Sequence, residues 1–202
     1  MVRTDTERSR VMNSRRLWLL ALLVFSATLI PSAGALDQAT ADLITKTIEQ
    51  LDLALEQVVY AHVRFPIEDL KSHAHVALNL LEGRRGSDYD PSYSDPGDGI
   101  GVVNYVQRIR QAPEIQRAPE ETRVVLENAL DNVSLYLEQA MNHTLTALKQ
   151  TQLTPAQGEM RQVLAFLSAA KGRENELTAA GGLLALKTRL GEQGGSPQNS
   201  QK

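Results

Sequence analysis

Four aspartates, Asp88, Asp90, Asp95 and Asp98, crowd one stretch of a chain that otherwise offers few groups for chemistry. Asp88-Tyr89-Asp90-Pro91-Ser92 places carboxylates at positions i and i+2 and a hydroxyl at i+4, as the first three side-chain ligands of a calcium loop do. An EF-hand then requires glycine at the sixth position and glutamate at the twelfth, where this chain has Tyr93 and Gly99. A calcium site here would have to combine Asp88, Asp90, Asp95 or Asp98 with backbone carbonyls in a different geometry. The competing reading is that Asp, Pro, Gly and Ser are turn residues, with Arg84 and Arg85 offsetting the carboxylates. That reading is favoured.

Histidines form the second cluster. His62, His73 and His75 fall across one helical hairpin, and Asp69 precedes His73 by one turn on the same face. His62, Asp69 and His73 would suit zinc or copper if their side chains faced one another, whereas His75, two residues from His73, points elsewhere. The alternative is that His62 and His73 are partly buried, hydrogen-bonded histidines. Haem ligation would need His143 or another histidine opposite Met141 or Met160, and ordinary packing is the preferred reading of those residues. No phosphate loop, nucleophile elbow or dinucleotide fingerprint occurs, so the sequence argues against an enzyme. Asn132-Val133-Ser134 and Asn142-His143-Thr144 match glycosylation sequons within a helical stretch, where the match carries no weight.

The elements that must position these residues are helical. Ile44, Ile48, Leu51, Leu55 and Val58 repeat at steps of four and three, and the next step lands on His62. Pro66 stops this helix and opens a second, with Ile67, Leu70, Ala74, Ala77 and Leu81 on one face. So short a connection implies an antiparallel pair. A short helix over 102–109 is followed by a linker at 113–118. The longest helix spans about 119–150 with Leu126, Leu130, Val133, Leu137, Ala140 and Thr144 on its seam. A fifth helix starts at Thr154-Pro155, with Thr154 as its N-cap, and has weak points at Gly172 and at Gly181-Gly182, beyond Leu177. The expected fold is all-α: a four-helix bundle of two helical hairpins joined by a long Asp/Gly-rich connection that includes a short extra helix.

Residues 1–16 carry five arginines, and residues 17–30 form an uncharged apolar run ending at Pro31. This is the layout of a secretory signal, with cleavage expected after Ala35. The run is shorter than the roughly 20 residues of a spanning helix, and an uncleaved anchor that holds the chain at a membrane is the alternative. The chain divides into a leader at 1–35, a helical domain at 36–190 and a disordered tail at 191–202. Loss of the leader removes five arginines and two carboxylates, and the net charge moves from −3 to −6. An acidic domain without a basic stripe argues against nucleic-acid binding. With no cysteine, an exported chain must rely on its core, without disulfides or thiolate metal sites.

The residues His75-Val76, Asn79-Leu80-Leu81-Glu82-Gly83 and Asp95-Pro96-Gly97-Asp98-Gly99 resemble a helix–loop segment of uncharacterised bacterial exported helical proteins, which carry an H-V-x-N-x-x-E-G helix before a D-P-G-D-G loop. The resemblance covers about thirty residues. It implies that His75, Asn79, Glu82, Gly83, Gly97 and Gly99 belong to one structural unit in which Asn79 and Glu82 brace the loop. Tyr89, Tyr93 and Tyr105 accompany that loop and would either pin it or offer contact surface to a protein or carbohydrate partner. The sequence thus points to an exported, non-enzymatic binding or accessory module acting through residues 82–101, with a metal- or haem-binding bundle as the alternative.

Overall fold

The structure is a computed structural model that describes residues 37–173 and 181–194. The leader, Leu177 and the last residues of the expected tail lie outside that range. The described residues are all-helical, without a strand, in seven helices: α1 (Gln38–Val63), α2 (Ile67–Glu82), α3 (Val102–Arg110), α4 (Pro113–Arg117), α5 (Glu120–Lys149), α6 (Leu153–Lys171) and α7 (Leu183–Gly194). Among the described residues no helix is long and apolar enough to cross a membrane.

Asp37 caps α1, its carboxylate accepting from the Ala39 amide at 3.4 Å. The buried positions of α1 are Thr40, Ile44, Thr47, Leu51, Ala54, Val58 and Ala61. Steps of four and three hold, but the second row of the seam consists of Thr47, Ala54 and Ala61, while Ile48 and Leu55 pack from its edge. Small residues there let neighbouring helices approach closely. Thr47 satisfies its hydroxyl by donating to the Leu43 carbonyl at 2.7 Å, and Thr144 on α5 does the same to Ala140 at 2.8 Å. Both threonines are therefore buried without an orphaned polar group.

Packing directions follow from the side-chain links. His73 meets Gln57 across α1 and α2, while His62 and Gln157 bond reciprocally between α1 and α6. Lys171 reaches Asp52 further along the same pair, so α6 runs antiparallel to α1. α5 and α6 pair across a short turn, and α2 also contacts α5. Residues 64–66 and 150–152 thus lie at one end of the structure, and the 83–101 loop with α3 and α4 near the other.

α2 departs most from expectation. One buried face was expected, yet Val76, Ala77, Leu78, Asn79, Leu80 and Leu81 are all buried in succession. A helix buried all round needs cover on every side. α1, α5 and α6 cover part of it, and α3 and the loop supply the rest.

Three boundaries also differ. The expected linker at 113–118 contains α4: Pro113 suits a first helical position, and Ile115 anchors the turn with no exposed surface. α6 starts at Leu153, with Gln152 before it and no side-chain cap, so Thr154 lies inside the first turn and is not the N-cap. α6 then ends at Gly172, whose φ of 71° suits a helix terminator. Beyond the expected weak points at Gly172 and Gly181-Gly182 the chain forms the separate helix α7, which buries Leu183, Ala185, Leu186 and Leu190. The expected domain end at 190 falls inside α7, which continues to Gly194.

Burial of Ile115 makes α4 part of the core. Ile115→Ala is expected to lower the unfolding free energy by about 2–5 kcal/mol, and Arg117→Ala, on the exposed side, to stay within about 0.5 kcal/mol. Urea unfolding curves with unchanged slope would measure both.

Candidate functional site

The loop begins where α2 stops and returns to the same place. Gly83, with φ 72°, receives the end of α2 by donating to the Asn79 carbonyl at 2.8 Å. Gly101, with φ 89°, precedes α3 and lies directly against the Glu82–Gly83 backbone. A Cβ on Gly83 would sit 2.1 Å from the Ile100 oxygen, and one on Gly101 would sit 2.3 Å from the Glu82 carbonyl carbon. Both positions therefore demand glycine for conformation and for space. The Arg84 amide donates to the Gly99 carbonyl at 2.9 Å, and Asn104 of α3 donates to the carbonyls of Glu82 and Ile100 at 2.9 and 2.8 Å. These bonds tie the two sides of the neck together.

Beyond the neck, Asn79 holds the loop onto α2. Its Oδ1 accepts from the Asp90 amide at 2.9 Å, and its Nδ2 donates to the Asp90 carbonyl at 2.8 Å and the Tyr93 carbonyl at 3.4 Å. An amide side chain presents a donor and an acceptor side by side, so it pairs with one residue's N–H and C=O as a neighbouring strand would. Asn79 has no exposed surface, and these bonds are what allow it to be there. One turn earlier, His75 lies flat against Tyr93, with centroids 4.1 Å apart and planes 8° from parallel. Three residues later, Glu82 accepts from the Asp88 amide at 2.8 Å. Burial pushes the Glu82 carboxyl up; the Asp88 amide bond opposes this, and the Asp88 charge adds to it. Gly97 fits against Gln50 of α1 and Leu80 of α2.

The aspartates build turns. Asp90, Asp95 and Asp98 each accept from the backbone amide two residues on: Ser92 at 2.9 Å, Gly97 at 3.2 Å and Ile100 at 2.9 Å. Asp90 also accepts from the Ser92 hydroxyl, and the two Ser92 bonds hold its carboxyl below the usual range. Asp98 accepts from the buried Tyr105 hydroxyl; burial first, then the Asp98 bond and charge, push that phenol up to about 12. Asp95 pairs with Arg84 at 3.5 Å, and its side chain is 6% exposed against 65% for the arginine. Asp88 accepts from Ser87 at 3.1 Å and is exposed.

Comparison with protein families, curated proteins and solved structures finds no match. What the site can do must be read from its own geometry.

Among the described residues, no group of three His, Cys, Asp or Glu side chains could hold a metal ion. Asp90, Asp95 and Asp98 each commit an oxygen to a local turn, and Asp88 is exposed. Of the hairpin set, His62 faces the Gln157 carbonyl of α6 at 3.3 Å, His73 bonds Gln57 of α1 at 2.8 Å beside the Tyr60 ring, and Asp69 is exposed. The three do not converge, because two neighbouring helices each claim one histidine. His143 bonds Glu159 at 2.7 Å and stacks on Phe166, while Met160 is wholly enclosed in the core and Met141 packs against it. These residues join helices to one another.

Sequence reasoning missed the His75–Tyr93 stack, Asn104 at the neck and the Tyr105–Asp98 bond. A signal for the enclosure existed: residues 76–81 read Val-Ala-Leu-Asn-Leu-Leu, too apolar for a helix with a solvent face.

Asn79→Ala removes the clamp and strands the backbone groups of Asp90. It is expected to cost about 2–4 kcal/mol, from lost bonds and unpaired partners. Asn79→Asp should cost more, since a carboxylate would face the carbonyls of Asp90 and Tyr93. Gly83→Ala is expected to cost about 2–4 kcal/mol from left-handed backbone and overlap. Urea titration gives the global loss, and amide exchange at Asp90 shows whether the loop releases first.

Proposed function

We infer that this chain is an exported, non-enzymatic four-helix bundle, formed by the α1–α2 and α5–α6 hairpins, that presents the 83–101 loop as a preformed recognition surface. The observation that carries the reading is the anchorage of the loop. Its inward groups are engaged by Asn79, Glu82, His75 and the glycine neck, while Arg85, Asp88, Pro91, Ser92 and Ser94 face solvent. A loop fixed before binding loses little conformational entropy when a partner docks. The mixed charge and hydroxyls of its outer face suit a polar protein or carbohydrate surface. Export rests on the arginine-rich start and the apolar run at 17–30, and the resemblance to exported helix–loop proteins supports the same location.

A photo-activatable cross-linker at Ser94 is expected to trap a discrete partner in cells that make the protein, whereas one at Gln162, exposed on α6, should not. Equal trapping from both positions, or none from any exposed loop position, would overturn the recognition reading. A stoichiometric metal or haem in protein purified without chelator would also overturn it. N-terminal sequencing of the exported form is expected to start at Leu36.

A further inference from the structure

His75 sits one helical turn before Asn79 on the same face of α2. Its ring lies on Tyr93, whose own carbonyl accepts from Asn79, so stack and clamp hold the same arm of the loop. The His75 Nδ1 is enclosed and has no hydrogen-bond partner. A neutral imidazole can leave one nitrogen bare, with its proton on Nε2, but an imidazolium carries a proton on both. Protonation therefore places an N–H in an enclosed position that offers it no acceptor.

We propose that His75 is a pH-operated latch: when the ring swings out to solvent, a proton bound at Nδ1 keeps the His75–Tyr93 stack parted and the 88–93 arm free of α2, while the Gly83–Gly101 neck stays closed. The latch goes beyond the recognition reading and rests only on how the loop is held. A failed latch would leave cross-linking from Ser94 at neutral pH untouched.

Burial pushes the folded His75 below its ordinary value of 6.5. Two charges act on the ring: Asp90, from the loop packed against it, pulls the other way, and Lys71, from its own helix, acts with burial. In the opened loop the ring returns to solvent and to its ordinary value. Between the two values the open form binds more protons, so opening grows as pH falls through that window. One proton allows at most about a tenfold change per pH unit, with no dependence well above the ordinary value. His73 is also pushed below 6.5, first by burial and then by Arg64, with Asp69 opposing. Global stability is therefore expected to decline in the same direction, and the test needs a local readout.

Amide exchange of the full chain, corrected for intrinsic rates, provides it. From about pH 7.5 to about pH 5, protection of the Asp90 amide should fall several-fold or more, and protection of the Arg84 amide at the neck should hold. His75→Phe, which keeps a ring against Tyr93, should abolish the pH dependence at Asp90. Constant Asp90 protection, an equal fall in His75→Phe, or an equal fall at Arg84 would overturn the latch. Should His75→Phe fail to fold, the wild-type His75 ring resonance decides: it must titrate below an ordinary histidine, with its midpoint matching the Asp90 change. Titration at the ordinary value overturns the proposal.

Discussion

The exchange of hydrogen bonds between the Asn79 amide and the backbone of Asp90 is the constraint on which the site depends. α2 enters its last two turns with apolar side chains on every face, and one amide among them. Without a partner, that amide would be costly to bury. With the loop laid across it, the same residue fixes where the loop crosses and in which register. A leucine at position 79 would fill space, but any segment could then pack on it equally well. Asn79 thus provides specificity where the surrounding leucines and valines provide adhesion, and each needs the other: the clamp is strong because water is excluded, and water is excluded because the loop is clamped.

The helices were legible because their apolar periods are long and regular. Leu126 to Ala140 on α5 reads directly as a buried stripe, and the Phe65-Pro66 break marks the first hairpin turn. The small seam of α1 was less legible: Ile48 and Leu55 are more hydrophobic than Thr47 and Ala54, yet the smaller pair occupies the interface. Hydrophobicity reports what is favourably buried, whereas helix separation is set by what fits. α4 escaped for a different reason. A five-residue helix holds no full period to read, and its evidence is a single isoleucine that only tertiary contact shows to be buried.

At the site, residue types were readable and their partners were not. Asn79 and Glu82 stood out as polar residues three apart at a helix end, but which amides they would meet depended on a loop path that no periodicity encodes. Asp90, Asp95 and Asp98 could serve a cation or a turn with the same oxygens. Their contacts with Ser92, Gly97 and Ile100 commit one oxygen of each to the local backbone. His62 and His73 share that ambiguity: a nitrogen that binds a metal equally accepts from or donates to an amide, and Gln157 and Gln57 engage them here.

The glycine crossing at the neck has a consequence for how this chain can vary. Since Gly83 and Gly101 lie back to back, the residues between them contribute almost no displacement to the path from α2 into α3. The loop is a side excursion rather than a span. Lengthening it costs only the slowly growing entropy of closing a longer ring, and nothing in the helices need move to accommodate the change. Along a lineage, the exposed positions Pro91, Ser94 and Pro96 are therefore free to be rewritten while the glycines, Asn79, Tyr93, Asp95 and the core stay put, so that one scaffold can carry a succession of different surfaces.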